Sequence, residues 1–412
     1  MNPGQISLIA LVVAIVLSCF SRVNVGLVAF ALAWGVGIVV GGGAELVVKN
    51  FPAQLFVTLA GVTLLFALAE VNGTIDGLAR AAFRLARGDA RLVPPILFAI
   101  ACVISSVGPG AVPSVALLAP MAMAVGRKSG ISAFLIALAV TNGANAGNLS
   151  AFSAVGVVAN SKMAEAGLGG HEVKVWAANF LAHLLVATAA YVGLGGWRVS
   201  GEVAPASEER SFSRGQWLTI ASIGVWIAGV VFFDLPLGLA AFSVAILLIL
   251  ANAADEAAAL QRMPWAAVMM VTGMSVLVGV VEKTGGMSIF TSLLARASSP
   301  ATINGMIAFV TGLISTYSST SGVVLPTFLP TVPGLVRELG GGEPLAVALS
   351  INVGASLVDV SPLSTLGALC VAAVAEPDQS KPLFRRLMAW GLSMAVVGAL
   401  LCQLLAGPFS RL

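Results

Sequence analysis

Apolar residues fall along this chain in runs long enough to cross a bilayer of about 30 Å, and the charged residues gather in the breaks between them. The pattern predicts spans over 4–20, 24–41 and 52–70, an Arg-rich stretch, a pair of short helices over 93–126, a broken helix over 130–159 and a span over 174–196. A polar segment, SGEVAPASEERSFSRGQ, follows. The order then returns: spans over 215–233, 236–252 and 264–282, an amphipathic stretch, a helical pair over 302–337, a broken helix over 344–374 and a last span over 382–406.

Sliding the chain on itself by 212 residues tests that return. Gly26, Phe30, Pro52, Gly61, Glu70, Gly73, Arg84, Ser106 and Gly110 then meet Gly238, Phe242, Pro264, Gly273, Glu282, Gly285, Arg296, Ser318 and Gly322. Further on the offset drifts to 210, where Asn142 meets Asn352. The chain reads as a repeat, 1–200 and 215–412, joined by a cytoplasmic linker at 201–214. Residues 93–107 and 114–126 are each short for a crossing, and SSVGPGAVP between them is rich in breakers, so each helical pair reads as a re-entrant hairpin. Five crossings then remain per half. An odd number turns the second half upside down, the inverted-repeat plan of many secondary transporters.

Composition agrees with a membrane protein: 58% of residues are hydrophobic and 9% charged, against roughly 25% charged in soluble domains. No small-residue cleavage site follows the first apolar run, so 4–20 reads as a retained helix. With the N-terminus outside, the inner loops hold Arg22, Arg80, Arg84, Arg87, Arg91, Arg127, Lys128, Arg198, Arg210, Arg214, Arg262, Lys381, Arg385 and Arg386, which is 14 of the 21 basic residues. The positive-inside rule therefore predicts that both termini lie outside. In TIDGLARAAFRLARGDAR, Arg80, Arg84 and Arg87 share one helical face; an interfacial helix explains the spacing, and an anionic-lipid site is the alternative.

Four segments carry polar groups where chain at this depth should be apolar: SSVGPGAVPS from Ser105, TNGANAGNLSAFS from Thr141, STYSSTSG from Ser315 and INVGASLVDVSPLST from Ile351. Two are hairpin tips and two are helix breaks, one of each per repeat. Irregular backbone is tolerated there only inside protein or along a wet cavity, so the four segments are expected to meet. Broken helices offer free N–H groups at one end and free carbonyls at the other, an anion site and a cation site without formal charge. Ser105, Ser106, Asn142 and Asn145 suit a hard cation such as sodium, and Ser318, Ser319, Thr320, Asn352 and Ser356 are the counterparts. Small and hydroxylic residues also pack membrane helices closely, a reading that fits any one of these residues but not four matched breaks. Asp359, the one acid in the set, reads as a cation ligand, a proton carrier, or a cap for a half-helix starting near Pro362.

Other classes find little support. There is no GxSxG, HExxH or Walker sequence, and His171 and His183 lie in different kinds of segment, so an enzyme is not expected. Cys19, Cys102, Cys370 and Cys402 sit singly in apolar runs and read as packing residues. No basic run points to nucleic acid.

The opening SLIALVVAIVLSCFSRVNVGLVAFALAWGVGI and the late SLVDVSPLSTLGALC resemble the bacterial malonate/dicarboxylate carrier family of the MatC type, within the divalent anion/sodium symporters. The resemblance implies an all-α homodimer in which scaffold spans hold the dimer contact. A transport domain, about 93–159 and 302–374, slides as an elevator. It further implies a carboxylate substrate between the two hairpin tips, near Ser106, Gly110, Thr320 and Ser321, with sodium ions beside each tip. The family's tips carry Ser-Asn-Thr, whereas this chain has Gly110-Ala111-Val112 and Thr320-Ser321-Gly322. Asn142, Ser150 and Ser153 in the first broken helix, with Ser361, Ser364 and Thr365 in the second, match the family's break positions, and Asn352 joins them as a candidate substrate ligand. The expected function is cation-coupled uptake of malonate or a C4-dicarboxylate, with a sodium/proton antiporter using Asp359 as the alternative.

Overall fold

Helices start where the sequence offers a cap or a proline. Asn2, Asn24, Ser132, Ser153, Ser213 and Asp255 each accept a main-chain N–H in the first turn of the helix they precede. Pro52 and Pro264 stand before helices of 19 residues. The structure, a computed structural model, describes residues 2–21, 23–83, 89–108, 110–199, 212–374 and 377–411. Arg22, Arg84, Arg87 and Arg210 lie outside the described residues, as do most of the expected linker and the end of the Arg-rich stretch.

The first half holds α1 (Pro3–Phe20), α2 (Val25–Val39), a short α3 (Gly43–Lys49), α4 (Ala53–Val71), an amphipathic α5 (Thr74–Phe83), α6 (Val93–Ser106), α7 (Ala111–Lys128), α8 (Ala133–Asn148), α9 (Ala154–Glu165) and α10 (Glu172–Gly193). The second holds α11 (Arg214–Phe233), α12 (Leu237–Leu250), α13 (Glu256–Arg262), α14 (Trp265–Lys283), α15 (Gly286–Arg296), α16 (Ile303–Tyr317), α17 (Leu325–Phe328), α18 (Val332–Leu339), α19 (Pro344–Leu357), α20 (Thr365–Ala372) and α21 (Pro377–Arg411). Among the described residues, five stretches are long and apolar enough to cross a membrane: Ala53–Val71, Glu172–Gly193, Trp265–Lys283, Pro344–Ala372 and Ser380–Arg411. The chain is a multi-pass helical membrane protein.

The two halves match element by element. Helices α2, α4 and α5 begin 212 residues before α12, α14 and α15, and even the short α3 has its counterpart in α13. At the broken helices the offset is 211: α8 and α9 begin at Ala133 and Ala154, α19 and α20 at Pro344 and Thr365. The expected offset of 210 is therefore corrected. Asn142 falls opposite Val353 rather than Asn352, and Asn148 falls opposite Asp359.

Packing between the halves is reciprocal, α2 against α14 and α4 against α12. Glycine makes both crossings possible. A Cβ on Gly26 would come within 2.1 Å of the Met269 carbonyl, and one on Gly273 within 2.1 Å of the Gly26 carbonyl. The mates repeat this, with Gly61 within 2.2 Å of the Gly238 carbonyl and Gly238 within 2.4 Å of the Thr58 backbone. Such contacts leave no room for any side chain.

Helices α1, α2, α14 and α15 share one core, and α4, α11, α12 and α13 another. Within the hairpins and broken helices, α6 and α7 pack on α8, and α16 on α19, while a further core joins α4 and α14 to α9, α16, α17 and α19. One grouping differs from the sequence expectation, which left 174–196 and 382–406 among the scaffold spans. Helix α10 packs along α8, and α21 along α16 and α19. The physical reason is that α8 and α19 are buried on every side, so each needs a further helix to cover the face its hairpin leaves open.

Candidate functional site

Each hairpin turns where the chain cannot stay helical. Gly110, at φ 82°, ends the first tip and stands before α7. In the second hairpin α16 stops at Tyr317, Ser318 is extended, and Ser319 caps a single π-helical turn, Thr320–Val324, that leads into α17. Breaks follow the same logic. Ser153 stands before α9 and donates its hydroxyl hydrogen to the Asn148 carbonyl; Ser364 stands before α20 and donates likewise to the Asp359 carbonyl.

These four places meet around one cavity of about 410 Å³. Its wall takes Gly110 to Pro113 from the first tip, Asn148, Ala154 and Val155 from the first break, Ser318 to Gly322 from the second tip, and Asp359 with Ser364 to Leu366 from the second break. The opposite wall is Leu59 and Thr63 of α4 and residues from Pro264 to Val271 at the start of α14. Four helix starts therefore face the cavity: those of α7, α9, the π turn before α17, and α20. Such ends carry partial positive charge on free N–H groups. Ser153 and Ser319 each cap one such group, Gly156 N–H at 3.3 Å and Gly322 N–H at 3.0 Å. Ser364 makes no side-chain cap to α20.

Each tip is tied to the break of its own half by the residue at one equivalent position. Asn148 Oδ1 accepts from Ala111 N–H at 3.0 Å, and Thr320 Oγ1 lies 2.9 and 2.8 Å from the two carboxylate oxygens of Asp359. Ser315 also reaches Asp359, at 3.4 Å, and pairs with Thr320. Thr320 further faces the Ala355 carbonyl at 3.4 Å. A carboxylate, two hydroxyls and a carbonyl in one place form an oxygen cluster of the kind that holds a hard monovalent cation. The N-cap of α20 is Ser364, so Asp359 does not cap the half-helix as one sequence reading had it.

Of the residues picked from sequence, Gly110, Ser318, Ser319, Thr320, Ser321, Asp359, Ser364 and Thr365 line the cavity. The others lie behind it. Ser105 is buried in α6, and the Ser106 hydroxyl faces the Cys102 thiol at 3.9 Å. Asn142 pairs with His183 at 3.0 Å, and Asn145 donates to the Ser356 carbonyl at 3.3 Å. Asn352 donates to Ala348 of its own helix, and the Ser356 hydroxyl to the Asn352 carbonyl. Ser150 and Ser361 hold the turns of the breaks through Phe152 and Leu363 N–H. The site residues chosen from sequence left out Asn148 and Ser315, although both fall in the marked polar segments, and the α14 wall; aligning the breaks at 211 exposes Asn148 as the counterpart of Asp359. Among the described residues no group of three His, Cys, Asp or Glu is placed to hold a metal.

Fold and cavity together describe a multi-pass helical membrane protein whose two tips and two breaks meet at one polar-edged cavity. In agreement, residues 1–148 match the family model described as the dicarboxylate carrier protein MatC N-terminus, so the resemblance holds over that stretch. No curated protein compared with the chain matches its sequence. Among solved structures the chain is similar in fold to the Alcanivorax borkumensis YdaH transporter, whose crystal structure is described as revealing an unusual topology. The TM-score is 0.61 at 15% identity, over 89% of this chain and 87% of that one.

Proposed function

We propose that the chain is a sodium-coupled secondary transporter of small dicarboxylates, malonate or a C4 acid, working in the bacterial inner membrane with both termini periplasmic. One observation carries the reading: four helix starts, two of them hairpin tips, face a cavity that has no Lys, Arg or His among the described residues of its wall. A dianion there meets N–H groups and hydroxyls, not fixed cations. Co-bound sodium supplies the missing positive charge, and the cluster of Asp359, Thr320, Ser315 and the Ala355 carbonyl is the place offered for it. Alternating access then has the body made of the hairpins, the broken helices, α10 and α21 slide against α1–α4 and α11–α15, in a homodimer held by the latter.

A second reading rests on Asp359 alone. A carboxylate in a membrane cavity also serves a sodium/proton antiporter, which needs no anion. Uptake of radiolabelled malonate and succinate into proteoliposomes separates the two. Sodium-driven uptake supports the symporter; no uptake under a sodium or a pH gradient, together with sodium-dependent proton release that Asp359→Asn abolishes, supports the antiporter.

A further inference from the structure

Behind the cavity, α8, α10 and α19 enclose a second polar cluster that the proposed transport site does not use. Asn145, Asn179 and His183 are wholly buried in it, with Asn142 beside them. The amide orientations follow from their partners. Asn142 donates to the Leu138 carbonyl at 2.9 Å, Asn145 to the Ser356 carbonyl at 3.3 Å and Asn179 to the Asn145 carbonyl at 2.6 Å. A carbonyl only accepts, so each NH₂ group points at main chain and each amide oxygen is left over. The Asn142 oxygen faces His183 Nδ1, which therefore carries the imidazole hydrogen, and Nε2 is left as a lone pair.

Three groups remain without a partner: Asn145 Oδ1, Asn179 Oδ1 and His183 Nε2. All three accept and none donates. Buried polar atoms in this state are destabilising unless something fills the role of donor. No ionisable side chain of these helices does so: α8 and α19 contain none, α6 offers the Cys102 thiol, Glu172 and Lys174 stand at the start of α10, and Tyr191 near its end donates to the Arg91 carbonyl. Nor does the fold demand polar groups here. Helix α21 packs on α19 as α10 packs on α8, and it buries Met394, Ala395 and Cys402 there.

We propose that this acceptor-only cluster of Asn145, Asn179 and His183 is a second binding site for a monovalent cation, sodium first, separate from the oxygen cluster at Asp359. Amide oxygens are hard ligands suited to sodium, with the imidazole lone pair completing the set. A site of this kind, with no formal charge of its own, adds one positive charge to the body that carries Asp359 and a dianion.

Sodium retained by the purified full-length protein, counted with ²²Na by scintillation proximity in the absence of dicarboxylate, tests the site directly. Asn179→Leu is expected to lower retention by one ion per chain, and His183→Ala to weaken that ion's binding about tenfold. Asn179→Asp keeps the shape, and its added carboxylate is expected to tighten binding at least tenfold; it decides the matter if Asn179→Leu does not fold. Retention unchanged in count and affinity across the variants, or no sodium retained by the unaltered protein, overturns the proposal and leaves a cluster satisfied by water. No dicarboxylate enters the measurement, so a failure of the substrate assignment in uptake assays is told apart from a failure here.

Discussion

At Asp359 and Asn148 one position in each repeat carries the difference between a charged and a neutral site. Both precede their serine cap by five residues, and both tie a break to a tip through an oxygen acceptor. Asp359→Asn keeps the acceptor toward Thr320 and removes the charge that attracts a cation. Under the symporter reading, sodium-dependent malonate uptake is expected to need at least tenfold more sodium for half-maximal rate, with a lower Hill coefficient for sodium; unchanged sodium dependence would remove Asp359 from the coupling site. The reverse change is equally informative. Asn148→Asp preserves the acceptor for Ala111 N–H but places a second carboxylate on the cavity wall. Two unit charges roughly 8 Å apart repel by about 2 kcal/mol at an effective dielectric near 20. The KM for malonate is thus expected to rise about thirtyfold per substrate charge felt at that distance, while thermal stability in detergent stays near that of the unaltered protein.

Elements show where sequence reading succeeds and where it stops. Spans, hairpins and breaks are legible because hydropathy, glycine and proline act locally: Pro52, Gly110 and Pro264 precede helices, and Ser318 ends one, whatever the rest of the chain does. The direction of a side chain on α8 is not legible in that way. This helix is buried on every side, so it has no polar face to mark the cavity, and Asn142 and Asn145 turn toward α10 and α19 while Asn148 reaches the site. The contact of α4 with α12 is also invisible locally, yet it fixes how the repeats join. Gly61→Val forces side-chain atoms into the Gly238 backbone and is expected to destabilise the protein by about 2 kcal/mol or more, read as a lower thermal midpoint in detergent. The same change at Gly273, the repeat mate, is expected to cost a similar amount; Gly35, which meets nothing within 4 Å, is the control that should tolerate alanine.

For the whole molecule, the repeat gives a distance for the proposed elevator step. The first tip now stands at Phe66 of α4, where a Cβ on Gly108 would meet that ring, and the second stands at Met270 of α14, which a Cβ on Gly322 would meet. Exchanging the roles of the halves moves each contact by the 212-residue offset. Tip one then belongs at Thr58, the mate of Met270, and tip two at Val278, the mate of Phe66. Both shifts are eight residues of helix, about 12 Å at 1.5 Å per residue. With the N-terminus outside, both also run outward, α4 toward Ala53 and α14 toward Lys283. Both shifts come from the same two contacts exchanged through one offset, so their equality follows from the repeat, and cross-linking tests the travel itself. Ala111→Cys with Thr58→Cys, in a chain whose Cys19, Cys102, Cys370 and Cys402 are replaced, should cross-link with mercury and stop transport, and excess dithiol that takes up the mercury should restore it. Ser321→Cys with Val278→Cys should do the same from the other side of the repeat. If neither pair cross-links in membranes where a contact present in this structure, such as Gly108→Cys with Phe66→Cys, does so, the body does not travel and alternating access must come from the hairpins alone.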